Sequence, residues 1–137
     1  MKLIVQIPCL NEEKTLPSVL KSIPKAIDGI DEIILVVIDD GSTDKTIQIA
    51  KQHGVKEFVI HRTNMGLARS FRDGMDKALE LGADILVNTD GDNQYPSEKI
   101  SELVRPILEG RAEILVADSQ TSKIAHFSPL KKVLQRL

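Results

Sequence analysis

Ile33-Ile34-Leu35-Val36-Val37-Ile38-Asp39-Asp40-Gly41-Ser42-Thr43-Asp44 is the stretch on which the reading of this chain turns. Six strong apolar residues, the longest such run in the sequence, stop abruptly at two carboxylates and a glycine. A short run rich in β-branched residues and bounded by turn formers reads as a strand covered on both faces. Such strands belong to parallel sheets with helices packed above and below. A membrane-spanning helix needs ~20 apolar residues, and no run here approaches that length.

Working outward, residues 3–7, 58–60, 85–87 and 114–117 repeat the pattern in shorter form. Stretches of helical period separate them. Leu16, Val19, Leu20 and Ile23 fall at i, i+3, i+4 and i+7. Ile47 and Ala50 mark a second, weaker helix ending at Gly54. Leu67, Phe71, Met75, Ala78 and Leu79 form the stripe of a third, ending at Gly82. Ile100, Leu103, Val104, Ile107 and Leu108 form a fourth, opened by Pro96 and ended by Gly110. Proline at a helix start and glycine past its end follow the capping asymmetry. The alternation of strand and helix predicts an α/β, Rossmann-like fold, mostly parallel, with helices on both faces.

The 137 residues fit one domain, with 42% apolar and 28% charged residues. Net charge is −2, unevenly placed: the first 118 residues hold 14 of the 18 basic residues and all 20 acids, a net −6. Aromatics make up only 3%. A nucleic-acid binder needs a basic face and stacking platforms, so nucleic acid is not an expected partner. Cys9 is the single cysteine, which excludes an internal disulfide and points to the cytoplasm. The first residues lack the charged start and long apolar stretch of a signal peptide.

Right-handed crossovers put the strand C-termini on one edge, where open α/β sheets bind ligands. The polar residues gather there: Pro8-Cys9-Leu10-Asn11-Glu12-Glu13, Asp39 to Asp44, His61-Arg62-Thr63-Asn64-Met65-Gly66, and Asp90-Gly91-Asp92-Asn93-Gln94-Tyr95-Pro96. In an extended Asp90-Gly91-Asp92 the two carboxylates point to one side and can share a hard cation, with Gln94 adding an oxygen and Gly91 allowing close approach. A plain acidic turn has the same composition. Ser42 or Thr43 caps the second helix, and one of Asn11, Glu12 and Glu13 the first. Two consecutive carboxylates exceed what capping needs, so Asp39 or Asp40 is expected to meet a ligand donor such as a base N–H or ribose hydroxyl. Arg69 lies in the first turn of the third helix, beside this edge. Arg72 follows on the same polar side, where a solvated face is the alternative. Gly66 and Gly74 let that helix lie close to the sheet. His61 has no partner in the sequence. Cys9 reads as a small buried apolar residue. Neither a Gly-x-Gly-x-x-Gly turn nor a Walker-type loop is present.

Together, Ile7-Pro8-x-x-Asn11-Glu12-Glu13, Ile38-Asp39-Asp40-Gly41-Ser42-Thr43-Asp44, Asn64-x-Gly66-x-x-Arg69 and Asp90-Gly91-Asp92-x-Gln94-x-Pro96 resemble the family 2 glycosyltransferases of the GT-A fold. The branch they resemble is that of the polyprenyl- and dolichyl-phosphate mannosyl- and glucosyltransferases. The resemblance covers residues 1–118. It implies a nucleotide-diphospho-sugar site made by Pro8, Asn11, Glu12, Asp39, Asp40, Asn64, Arg69, Asp90 and Gly91. Asp40 would lie near a uridine or guanosine base, and Asp90, Asp92 and Gln94 would hold Mg²⁺ or Mn²⁺. It also implies an acceptor such as a polyprenyl phosphate, and a place in cell-envelope synthesis at the inner face of the membrane. Leu10 stands where the family often has an aromatic residue.

Members of that family continue well past this length, so the chain is expected to be a donor-binding part without the acceptor elements, and no catalytic base is assigned. A nucleotide-sugar-binding module without activity is the alternative. A phospho-accepting receiver domain has similar length, but it places its acidic pair after the first strand. Residues 119–137 read as a basic tail in which Leu130, Val133, Leu134 and Leu137 line one side of a short helix. That helix could touch a membrane surface, pack on the domain, or meet a second copy of the chain.

Overall fold

The computed structural model describes residues 1–94 and 96–111. The expected strand at 114–117 and the tail from 119 lie outside the described residues. Met1–Ile100 form one compact unit. Its elements are β1 (Lys2–Cys9), α1 (Leu16–Ser22), β2 (Glu32–Asp39), α2 (Thr46–Gln52), β3 (Glu57–Ile60), α3 (Leu67–Glu80), β4 (Ile85–Asn88) and a 3₁₀ turn (Ser97–Lys99). Along the chain α4 (Ile100–Leu108) follows that turn directly, its residues from Ser101 falling in a second unit, so Pro96 precedes a 3₁₀ turn rather than opening the α-helix itself. Pro96 has no backbone N–H to give and suits either start.

The sheet is parallel throughout, in the order β3-β2-β1-β4. Lys2 pairs with Glu32 and the register runs on to Cys9 with Asp39. The strands are thus longer than their apolar runs. Asp39 is the last residue of β2 rather than the first of a loop. Two connections step one way across the sheet and the third, through α3, crosses back. Right-handed crossovers therefore place α1 and α2 on one face and α3 on the other. The direction reverses at β1, and the C-terminal ends of β1 and β4 frame the resulting crevice.

Leu3, Ile4, Val5, Ile7, Val36, Val37 and Ile38 are buried, as are Leu16, Val19, Leu20 and Ile23 of and just beyond α1. Burying one such side chain contributes about 1.5–3 kcal/mol. Of the expected apolar stripe of α3, only Ala78 meets the sheet. Leu67, Phe71, Met75 and Leu79 are exposed, Leu79 to 72%, while Ser70, Gly74 and Ala78 are buried. Gly74 is the physical reason. A Cβ there would fall 2.4 Å from Gln6 Oε1 and 2.9 Å from Ile38 Cδ1. The helix lies down on its smallest residues, Ala78 joining Ile4, Val36 and Ile38 in one cluster. Beneath it Gln6, fully buried, donates from Nε2 to Asn88 Oδ1 at 3.0 Å.

Candidate functional site

Backbone groups that end β1 and β2 need partners, and the two following loops supply them to each other. Asn11 turns into the left-handed region (φ 55°). Its Oδ1 accepts from Thr43 N at 2.8 Å, and its own N–H donates to Ser42 Oγ at 2.9 Å. Glu12 N donates to Thr46 Oγ1, Glu13 N to Asp44 Oδ2, and Lys45 N to Glu13 Oε2. The side chains expected to cap their own helices instead bridge loops. Neither α1 nor α2 has a side-chain bond at its cap residue. Asp44 comes closest to capping, accepting from Thr46 N. Burial pushes its carboxyl up, but the hydrogen bonds from Thr46 and Glu13 outweigh this and hold it below the usual carboxylate range.

Asp40 ties in the third loop. It is only 6% exposed. Oδ1 accepts from Met65 N and lies 2.8 Å from His61 Nδ1, and Oδ2 accepts from Gly66 N at 2.9 Å. Burial disfavours its charge, but His61, Met65 and Gly66 more than compensate, so its carboxyl is held low. Three of the four lone-pair directions are thereby taken, leaving one on Oδ2. His61 continues the chain, with Nε2 3.1 Å from Asp73 Oδ2. Asp73 in turn accepts from Arg69 Nε at 2.6 Å, the first cause of its lowered pKa. Arg69 thus gives its Nε–H to its own helix, one turn on, and is not on the wall of the crevice.

The loop after β4 is built differently. Thr15 Oγ1 shares its one proton between Gly91 O at 2.7 Å and Glu12 Oε2 at 2.9 Å, holding the glycine against the first loop. A Cβ on Gly91 would lie 2.7 Å from Cys9 Sγ, so close approach requires glycine there. Asp90 and Asp92 do not remain in an extended strand: β4 ends at Asn88, and Gly91 and Asp92 form a turn. Among the described residues, Asp92 Oδ1 accepts only the N–H of Gln94, at 3.0 Å, within its own turn. Partial loss of water and the neighbouring Asp92 both push the Asp90 carboxyl up.

Pro8, Glu12, Asp40, Asn64, Asp90, Gly91 and Asp92 come together on one cleft of ≈ 420 Å³, with Cys9, Leu10, Gly66, Leu67 and Ser70 completing it. Asn11, Asp39, Arg69 and Gln94 are not on its wall. Asp39 is buried, with Oδ2 accepting from Ser42 N at 3.2 Å. Gln94 is exposed. Cys9 is buried, and burial followed by the surrounding carboxylates pushes its thiol far up, so it stays protonated. A larger depression of ≈ 610 Å³ runs along α2. It lies away from the strand ends and gathers no convergent loops. Among the described residues no group of three or more His, Cys, Asp or Glu side chains is arranged as a metal cage. None forms a membrane-spanning helix either.

The sequence signalled neither His61 nor Ser70. His61 acquires its partners 21 and 12 positions away, and Ser70 reaches the cleft only because α3 lies on its small face.

The model of glycosyl transferase family 2 matches residues 4–131. The chain belongs to that family. It is 33% identical over 126 residues to the UDP-N-acetylglucosamine–dolichyl-phosphate N-acetylglucosaminyltransferase of Methanococcus voltae, covering 80% of this chain and 49% of that protein. It is 35% identical over 113 residues to the dolichol-phosphate mannosyltransferase of Pyrococcus furiosus, covering 80% of this chain and 31% of the relative. Among solved structures, the glucosyl-3-phosphoglycerate synthase of Mycobacterium tuberculosis, in complex with Mn²⁺, UDP and glucosyl-3-phosphoglycerate, superimposes with a TM-score of 0.58. The two are 31% identical, with 78% of this chain and 39% of that one covered. The fold is therefore that of the GT-A glycosyltransferases. The family 2 chain spans half or less of each of these proteins.

Proposed function

We propose that the cleft between β1 and β4 holds the donor of a glycosyl transfer, a nucleotide-diphospho-sugar. The observation that carries this reading is the convergence of four strand-end loops on one cleft, with Asp40 at one wall and Asp90 and Asp92 at another. Asp40 offers its remaining lone pair to a ring N–H, while Pro8, Leu10 and Leu67 supply an apolar surface. The UDP-bound relative supports a nucleotide here, and its Mn²⁺ supports a divalent cation.

The donor set fits such a cation in part. Asp90 is pushed up by partial burial and by Asp92 beside it, a like-charge neighbour that a cation would relieve. Mg²⁺ commonly takes one or two carboxylates and completes its shell with substrate phosphates and water. Asp90 and Asp92 are the residues that would hold it. A bound cation there would stabilise negative charge on the leaving diphosphate. The chain's own groups do the rest: Asp40 orients the base, the Thr15-held Gly91 lets the ligand approach the backbone, and the apolar wall excludes water.

The acceptor proposed is a polyprenyl phosphate, as the names of the two curated relatives support. A phosphate acceptor is already anionic and needs no general base. The chain would then act at a membrane surface. Because it spans only part of its relatives, binding and turnover are separate questions, and a module that binds without transferring is the second reading. Calorimetry of the 137-residue chain with UDP, GDP and ADP, with Mn²⁺ and with chelator, tests the first. Binding of UDP or GDP that requires Mn²⁺ is expected. Equal affinity in chelator, or preference for ADP, overturns it. Transfer of labelled sugar to a polyprenyl phosphate decides between enzyme and module.

A further inference from the structure

Among the described residues, three buried side-chain atoms have no hydrogen-bond partner: Gln6 Oε1, Asp39 Oδ1 and Ser70 Oγ. Native proteins leave few such groups, because each costs about 1–3 kcal/mol. Gln6 is covered by α3 at Gly74, and neither Gln6 nor Asp39 reaches the cleft. Ser70 does line it, although the residue is only 1% exposed.

A serine inside a helix usually satisfies its hydroxyl by bonding back to the carbonyl four residues earlier. Here that carbonyl, Gly66 O, accepts the Ser70 N–H at 3.1 Å, and the hydroxyl makes no bond to it. Helical side chains lean toward the helix N-terminus, and α3 begins at the cleft, beside Gly66 and Leu67. A buried hydroxyl without a partner is thus set on the wall that also carries Asp40.

The charge around the cleft limits what can meet this hydroxyl. Its described lining holds four carboxylates, Glu12, Asp40, Asp90 and Asp92, and no Lys or Arg. Arg69, the nearest cation along the helix, is committed to Asp73. An anionic group beside Asp40 would be repelled without compensation. An uncharged acceptor would not.

We infer that Ser70 is a specificity-determining residue of this site, donating from Oγ to a carbonyl oxygen of the base whose adjacent ring N–H is taken by Asp40. The inference rests on reading the cleft as a nucleotide site. A carboxylate acceptor beside a hydroxyl donor matches the N–H and C=O pair of uracil or guanine. It mismatches cytosine and adenine, which present a bare ring nitrogen to the carboxylate.

The test compares the full 137-residue chain with Ser70→Ala. Calorimetry with UDP in Mn²⁺ should show about five- to tenfold weaker binding by the variant, in line with one hydrogen bond. Inorganic diphosphate in Mn²⁺ should bind both proteins equally, placing the loss at the base. Without ligand, the variant should melt at the same or a higher temperature, because alanine is the better helix former and no bond is lost. UDP affinities within twofold of each other overturn the inference while leaving the nucleotide site intact. A lower melting temperature for the ligand-free variant also overturns it, since the hydroxyl would then be satisfied within the fold. If the unaltered chain binds no UDP, the nucleotide reading itself fails, and this inference with it.

Discussion

The loops after β1 and β2 hold four carboxylates, the loop after β4 holds two, and they are used in opposite ways. In the first pair, Glu13, Asp40 and Asp44 accept backbone N–H groups from other segments, and the charge lowers the energy of the fold. In the last, Asp92 accepts one N–H from its own turn, and Asp90 is pushed up by partial loss of water and then by its like-charged neighbour. One wall is braced by its acids; the other carries acids that the described residues leave almost without partners. Charge that does nothing for stability is where a bound partner's chemistry is to be sought.

The sharpest way to break this contrast is Asp40→Ala. The substitution strands the N–H of Met65, leaves that of Gly66 with only Asn64 Oδ1, and removes the buried partner of His61. With about 1–3 kcal/mol for each group left without its partner, a loss of at least about 2 kcal/mol in urea unfolding is expected. A loss below about 1 kcal/mol would mean that the third loop is not hung from Asp40. Nucleotide binding would disappear along with the loop geometry, so stability is the informative readout.

Asp92→Ala is the complementary case. Removing a half-buried, weakly bonded carboxylate should leave unfolding within about 0.5 kcal/mol of the parent. The expected change is in binding: at least about tenfold, or about 1.4 kcal/mol, in UDP affinity measured with Mn²⁺, and none with chelator. A variant that is much less stable, or that binds UDP in Mn²⁺ like the parent, erases the distinction between the walls.

This division explains how far the sequence could be read. The buried strand of β2 and the order of elements were legible because they are local signals: an apolar run, helical periods, glycines at helix ends. So was the sheet edge that gathers Pro8, Glu12, Asp40, Asn64, Asp90 and Asp92, since it follows from parallel order alone. The bracing was not legible. Asn11 with Thr43 and Asp40 with Gly66 join residues 32 and 26 positions apart, and only closure of the sheet brings them together. The face of α3 was misjudged for a related reason. Periodicity singles out Leu67, Phe71, Met75, Ala78 and Leu79, but contact distance to Gln6 and Ile38 favours Ser70 and Gly74, and of the stripe only Ala78 is buried with them. Arg69 looked free for a ligand until Asp73, one turn on, claimed it.

The smallest expected effect lies in the pH dependence of stability, where the two walls should differ in sign. Asp40, Asp44 and Asp73 have folded pKa values below the ordinary carboxylate value, about 3.9 for aspartate. The unfolded chain therefore binds more protons than the folded one across that window. Their stabilisation is complete above the ordinary value and is lost as the pH falls through the lowered ones. Asp90 is raised, so between the ordinary value and its own the folded chain binds the extra proton. Its contribution to stability falls as the pH rises through that window. Asp90→Asn should remove this opposing slope, making stability rise more steeply with pH just above the ordinary aspartate value. Asp73→Asn should flatten the acid limb below it. Urea midpoints taken across mildly acidic pH read both slopes. If Asp90→Asn also flattens the acid limb, Asp90 is braced like the acids of the first two loops, and the β4 loop has no unused charge to offer a cation.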